Sequence, residues 1–277
     1  MFQKVVKSAQ LISLPDIYTK LKELIDDPDY TMAEVALLVG RDPGMSTRFL
    51  QAVNSPLNRR VCKIETVSHA VSLLGIRQVH DIVLSASVAE AFEGIQTELM
   101  NMKKFWQQSF YSAVMTKQLA LECGIIESDR LFVTGLLHNI GHLFMYMAIP
   151  EESQQAFLNA KKQERPLYQV ERELIGFDYA KLGGYVMRQW DLPKSFQAIT
   201  YFHPEPGKSN QFAMETALLH LSSLLVQSDL EEGVFGEGSF TIDPTVWPTT
   251  SLTEGQCLNF RKTAADEFDE VANSLFL

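Results

Sequence analysis

The chain has 277 residues, 46% of them apolar and 21% charged, which is enough to bury a substantial core and excludes a disordered or fibrous protein. Its net charge of -10 speaks against general polyanion binding, which rests on Lys and Arg neutralising phosphates. The acid is concentrated: residues 229–277 carry ten carboxylates against Arg261 and Lys262, so the first 228 residues are only slightly acidic.

In chain order, MFQKVVKSAQ lacks the layout of a signal peptide. Pro15 opens a helix carrying Leu21 and Leu24. Thr31, with Glu34 three residues on, predicts a capping box for a helix that Gly40 stops. Asp42 and Pro43 predict a cap and first-turn proline for PGMSTRFLQAV, which Asn54-Ser55-Pro56 terminates. The following loop carries Arg59, Arg60 and Lys63. Ser68 is the expected cap of HAVSLLG, which ends at Gly75. IRQVHDIVLSASVAEAF then continues as a second helix with Val79, Val83 and Ala86 on its apolar face. The weaker stretch EGIQTELM reads as a junction between two lobes.

From Phe105 the helical spacing resumes through FWQQSFYSAVMTKQLALECG, SDRLFVTGLLHNIGHLFMYM and the stretch from Glu151 to Lys162. Gly176 with Asp178, and Asp191-Leu192-Pro193, mark stops and restarts, and METALLHLSSLLVQ is a further helix. GVFGEGSFTIDPTVWPTTS reads as loop by its Gly, Pro and Thr content, ahead of a last helix from about Thr253; its GEGS is a turn and not a phosphate loop. No strand is expected before residue 230, and no apolar run approaches the roughly 18 residues of a membrane helix. Cys62, Cys123 and Cys257 lie far apart without CxxC spacing. They are expected as buried thiols of a cytoplasmic protein.

The chemistry-bearing stretch is LLHNIGHL. On a helix His138 and His142 face the same side, the spacing by which a helix offers two imidazoles to one ion. A catalytic divalent centre needs three or more protein ligands, with carboxylates among them for hard ions. Asn139 offers only a neutral amide. His69, His80 and His220 have no clustered partner in the sequence and are assigned to core or surface.

LLHNIGHL resembles the LLHDIGKL core of the HD superfamily of metal-dependent phosphohydrolases, and residues 11 to 205 more closely resemble the HDOD family. The resemblance is carried by LPDIYTKLKELIDDPDYTMAEVALLVGRDPGMSTRFLQAVNSP, IETVSHAVSLLGIRQVHDIVL, FWQQS, GLLHNIGHL, ELIGFDYAKLGGYVMRQWDLP and AITYFHPEP. It implies an all-α fold: an N-terminal helical lobe (1–92), an HD-like helical bundle (93–228) and an acidic loop-plus-helix extension (229–277).

Carrying the superfamily's metal ligands across gives a depleted set. The first His falls on Gln108, the His-Asp pair on His138-Asn139, another His on Tyr179, and a His-His pair on Phe202-His203. The late Asp falls on Ser222 or Ser223. The resemblance thus implies a vestigial pocket of Gln108, His138, Asn139, His142, Tyr179 and His203, with no catalytic residue, no metal and no cofactor. Gln108, His138 and Asn139 are expected to satisfy one another's hydrogen bonds.

The reading that follows is a non-catalytic bacterial signal-transduction module acting on protein partners, among them signalling proteins of receiver, GGDEF or EAL type. Arg59, Arg60 and Lys63, or the acidic tail, are the candidate partner surfaces. No membrane association is expected. The alternatives are nucleic-acid binding, because TMAEVALLVGRDPGMSTRFLQ looks like a helix-turn-helix, and an active HD-type phosphohydrolase. The first suffers from a second helix with Arg48 as its one outward cation, the second from the missing carboxylates.

Overall fold

The computed structural model describes residues 1–9, 12, 14–55, 63–92, 100–227, 242–262 and 264. Among the described residues every regular element is a helix, so the all-α expectation holds. The chain divides into two compact units, residues 12–94 and residues 1–11 with 95–268.

In the first unit, α2 (Asp16–Asp26), α3 (Met32–Gly40) and α4 (Pro43–Val53) pack on the long α5 (Val67–Ala91). Leu21, Val35, Val39, Met45, Phe49, Val53, Val71 and Val83 are fully buried between them. The capping box is formed: Thr31 Oγ1 accepts from the Glu34 N–H while Glu34 Oε2 accepts from the Thr31 N–H. Asp42 caps α4 by accepting from the Met45 N–H at 2.8 Å, with Pro43 at the first turn. Asn54 closes the loop behind α4, because its side-chain amide donates to the Ile64 carbonyl at 2.8 Å and accepts from the Ile64 N–H at 2.7 Å. The cap of α5 is Thr66, which accepts from the His69 N–H, and not Ser68. The expected break at Gly75 is a kink (φ 75°), a left-handed conformation open to glycine without steric cost.

In the second unit, α6 (Met102–Glu122), α7 (Ser128–Leu137), α8 (Ile140–Ala148), α9 (Pro150–Gln163), α10 (Leu167–Ile175), α11 (Tyr179–Gln189), α12 (Lys194–Phe202) and α13 (Ala213–Gln227) form a helical bundle. Helix α1 (Phe2–Ala9) packs on α8 and α11, with the Phe2 ring edge-on to Phe177 at 4.9 Å and Tyr185 at 5.4 Å. The first residues therefore belong to the bundle and not to the lobe they precede. Two close approaches set its geometry. A Cβ on Gly135 would stand 2.7 Å from Ala113 Cα, so α7 lies against α6; one on Gly141 would stand 2.0 Å from the Tyr179 carbonyl oxygen, so α8 touches the start of α11. Only hydrogen at these Cα positions allows such contact.

The stretch Ser128–Ala148 is long and apolar enough to cross a membrane, which corrects the expectation that no such run exists. Its most apolar window is 83% buried in the bundle, and it carries the site histidines. Its apolar character serves the core.

The described part of the acidic extension is packed and not loosely solvated. Within the stretch read as loop lies a short helix α14 (Val246–Thr250), followed by α15 (254–262). Val246, Leu252 and Cys257 are buried, and the Tyr111 hydroxyl donates to the Arg261 carbonyl at 3.1 Å. Burial pushes the Cys257 thiol up to about 11. Cys123 is only half-buried, a correction to the buried-thiol expectation, and Cys62 lies outside the described residues.

Candidate functional site

The site is built at the joint between α7 and α8. His138 and Asn139 form a tight turn there, with Asn139 at φ -93°, ψ 4°, so the two histidines do not sit on one uninterrupted helix as the spacing suggests. Their rings go to different partners. His142 stacks flat on Tyr179, with centroids 3.9 Å apart and planes at 16°, while His138 meets His203 edge-on at 5.2 Å.

Backbone carbonyls fix the tautomers, since a carbonyl only accepts. His138 Nδ1 donates to the Gly135 carbonyl at 2.6 Å, His203 Nδ1 to the Thr200 carbonyl at 2.7 Å, and His220 Nδ1 to the His203 carbonyl at 2.7 Å. Each Nε2 is then a bare lone pair. That of His203 accepts from the Tyr179 hydroxyl at 3.0 Å, and that of His220 accepts from the Asp243 N–H at 3.0 Å. Burial keeps the imidazoles neutral: it pushes His138 down to about 4 and holds His142 and His203 well below their ordinary value.

A buried carboxylate that the motif comparison missed lies against His142 and Tyr179. Glu171 on α10 is 1% exposed, accepts from the Tyr179 N–H at 3.0 Å through Oε2 and stands 3.6 Å from His142 Nδ1 through Oε1. Burial drives its carboxyl well above the usual carboxylate range. The neighbouring Arg172 clamps α10 in place by donating to Asp178, the N-cap of α11, and to Glu205. Glu171 was legible in principle, because it lies four residues before buried Ile175 and so on the inward face of α10.

Gln108, His138, Asn139, His142, Tyr179 and His203 are all buried within the bundle. Gln108, His138 and Asn139 do not satisfy one another, however. Among the described residues, Gln108 Oε1, His138 Nε2 and both amide atoms of Asn139 have no hydrogen-bond partner. Ser222 bonds Thr116 at 2.5 Å, eight residues and roughly 12 Å along α6 from Gln108. The α13 residue that reaches the cluster is His220, which sequence alone placed only as core or surface. Lys63 is exposed; Arg59 and Arg60 lie outside the described residues. In the first unit Arg48 pairs with Glu90 at 3.1 Å, while Ser46 and Thr47 bond backbone carbonyls, so three polar residues of the helix-turn-helix comparison are engaged at home.

The fit to a hydrolytic divalent ion is poor. Among the described residues no three His, Cys, Asp or Glu side chains gather as ligands. His203 has both ring nitrogens engaged, Asn139 and Gln108 bring no charge, and Glu171 is divided between the Tyr179 N–H through Oε2 and His142 through Oε1.

Comparison with known proteins identifies the family. The sequence profile of the HDOD domain matches residues 11–206, and the chain belongs to the HDOD domain family, a branch of the HD superfamily. A crystal structure of an HDOD domain protein of unknown function from Geobacter sulfurreducens superposes with a TM-score of 0.79 at 18% identity, covering 100% of this chain and 98% of that one. A protein from Shewanella amazonensis SB2B, provisionally named a phosphohydrolase, gives 0.74 at 19%, covering 98% of each chain. One from Marinobacter aquaeolei VT8, provisionally named a signal transduction protein, gives 0.74 at 18%, covering 96% of this chain and 59% of that one. At these identities the likeness concerns the fold. An uncharacterized protein of Treponema pallidum (strain Nichols) is 24% identical over 208 residues, 72% of this chain, and the chain spans only 39% of that relative's length.

Proposed function

We propose that this protein is a non-catalytic regulatory module of bacterial signal transduction, working in the cytoplasm through contact with protein partners. The observation that carries the reading is the neutral donor set around the joint of α7 and α8, where buried Gln108 and Asn139 bring no charge and His138 meets a fully engaged His203. Without an ion held there, nothing would lower the pKa of an attacking water or stabilise a leaving oxygen. Membership of the HDOD family and the fold shared with a relative named for signal transduction support a regulatory role. Receiver, GGDEF or EAL proteins are the partner classes proposed, with Arg59, Arg60, Lys63 and the acidic segment after Asp229 as the capturing surfaces. The proposed functional division is a lobe within 1–92, whose first helix α1 packs with the bundle, the bundle at 93–228 and the extension at 229–277.

The test is hydrolysis of cyclic dinucleotides, nucleotides and a chromogenic phosphodiester in the presence of Mn2+, with charge reversal at Arg59, Arg60 and Lys63 scored for partner binding. We expect no turnover above a heat-killed control and weakened partner binding by the folded variants. Chelator-sensitive turnover abolished in His138→Ala would overturn the reading.

A further inference from the structure

We propose that Gln108, His138, Asn139 and Thr200 form a binding site for a small uncharged molecule that donates hydrogen bonds, water or a small amide. This rests on the reading above that no hydrolytic ion holds this position.

The four residues are each no more than 1% exposed, and Gln108 Oε1, His138 Nε2, Asn139 Oδ1 and Nδ2, and Thr200 Oγ1 lack a hydrogen-bond partner among the described residues. Buried polar atoms are almost always satisfied, and each orphan is costly. Several such atoms on helices packed together point to an occupant that satisfies them. The packing brings their helices side by side. Helices α6 and α7 are joined by a short turn and run antiparallel, with Gly135 against Ala113 and Ser112; His138 stands just past the end of α7, and one turn back on α6 is Gln108. From the other side, a Cβ on Gly183 would stand 3.1 Å from Thr200 Cγ2 and 3.7 Å from the His138 carbonyl oxygen.

A separate observation concerns Asn139. Asparagine is among the preferred helix N-cap residues, and Asn139 occupies that position on α8, yet its side chain makes no cap bond. The local use of this amide is forgone, and both its atoms stay available.

The donor and acceptor count defines the occupant. His138 Nδ1 is spent on Gly135, so Nε2 is a pure acceptor, as are Gln108 Oε1 and Asn139 Oδ1. The Asn139 amino group and the Thr200 hydroxyl supply donors. An anion would meet three lone pairs and no Lys or Arg among the four residues. A divalent cation would find one imidazole and no carboxylate among them. A neutral molecule carrying both N–H or O–H donors and an acceptor oxygen suits all five atoms.

The experiment follows the Nε2 resonance of His138 in the full chain, labelled with 15N at histidine, during separate titrations with acetamide, inorganic phosphate and Zn2+. A high-resolution crystal structure grown without amides is determined alongside. We expect saturable movement with acetamide that weakens at least several-fold in Gln108→Met, or ordered water within hydrogen-bond distance of His138 Nε2 and Asn139; the first identifies a small amide as occupant, the second water. If neither appears, the cluster is dry and this proposal fails while the regulatory reading stands; Gln108→Met and Thr200→Val should then raise the thermal midpoint. Saturable movement with phosphate alone also overturns it. Stoichiometric Zn2+ binding through Nε2 overturns this proposal and removes the basis of the regulatory reading as well.

Discussion

Removing the imidazole of His138 should change how stability depends on pH more than stability itself. Burial holds the ring neutral down to about 4, whereas in the unfolded chain it takes a proton near 6.5. Between these values the unfolded state binds more protons than the folded one, so stability falls as pH falls through that window. The full difference is worth about 3 kcal/mol at about 1.4 kcal/mol per pH unit, and about 2 kcal/mol of it should be lost between pH 7 and pH 5. His138→Gln abolishes this contribution while other titrating groups remain, so the quantity to read is the stability of wild type minus variant. Urea unfolding at pH 7, 6 and 5 gives it directly. The expected result is a difference that moves against the wild type by about 2 kcal/mol from pH 7 to pH 5. A constant difference would show that His138 is not held neutral by burial, and the tautomer assignment at Gly135 would lose its basis.

Glu171 should act with the opposite sign. Its carboxyl is raised by burial, so the stability it contributes is present below about 4.5 and is lost as pH rises through its folded value; Glu171→Gln should gain on the wild type between pH 5 and pH 8 in the same urea assay. Tyr179→Phe removes the donor to His203 Nε2 and should cost about 1–3 kcal/mol by leaving a buried acceptor unpaired, measured by the same unfolding. In Gly141→Ala the added Cβ would stand 2.0 Å from the Tyr179 carbonyl oxygen, so α8 and α11 must part at a cost of about 1–3 kcal/mol or more. Gly40→Ala, where a Cβ meets nothing within 4 Å, is the control that should leave the thermal midpoint nearly unchanged or raised.

Local chemistry made much of the fold readable. Thr31 with Glu34, Asp42 with Pro43, and Gly176 with Asp178 place helix ends through hydrogen bonds within a few residues, and those ends lie where expected. The α5 cap was misread by two residues because Thr66 and Ser68 offer the same hydroxyl chemistry. Helix α14 was hidden by Pro244 and Pro248, whose composition reads as loop. The site was legible only in part. Motif positions brought Gln108, His138, Asn139 and His203 forward, but who bonds whom depends on helix packing. Gly141 against Tyr179 and Arg172 against Asp178 are tertiary facts, and they decide that Glu171 points inward and that Asn139 bonds neither Gln108 nor His138.

The central claim, that the joint of α7 and α8 holds a neutral polar cluster in place of a hydrolytic metal centre, is tested most directly by elemental analysis of the purified full chain after dialysis. The account predicts far less than one equivalent of Fe, Mn, Mg and Zn together, unchanged in His138→Ala. Close to one equivalent of any of these, lost in that variant, would contradict it.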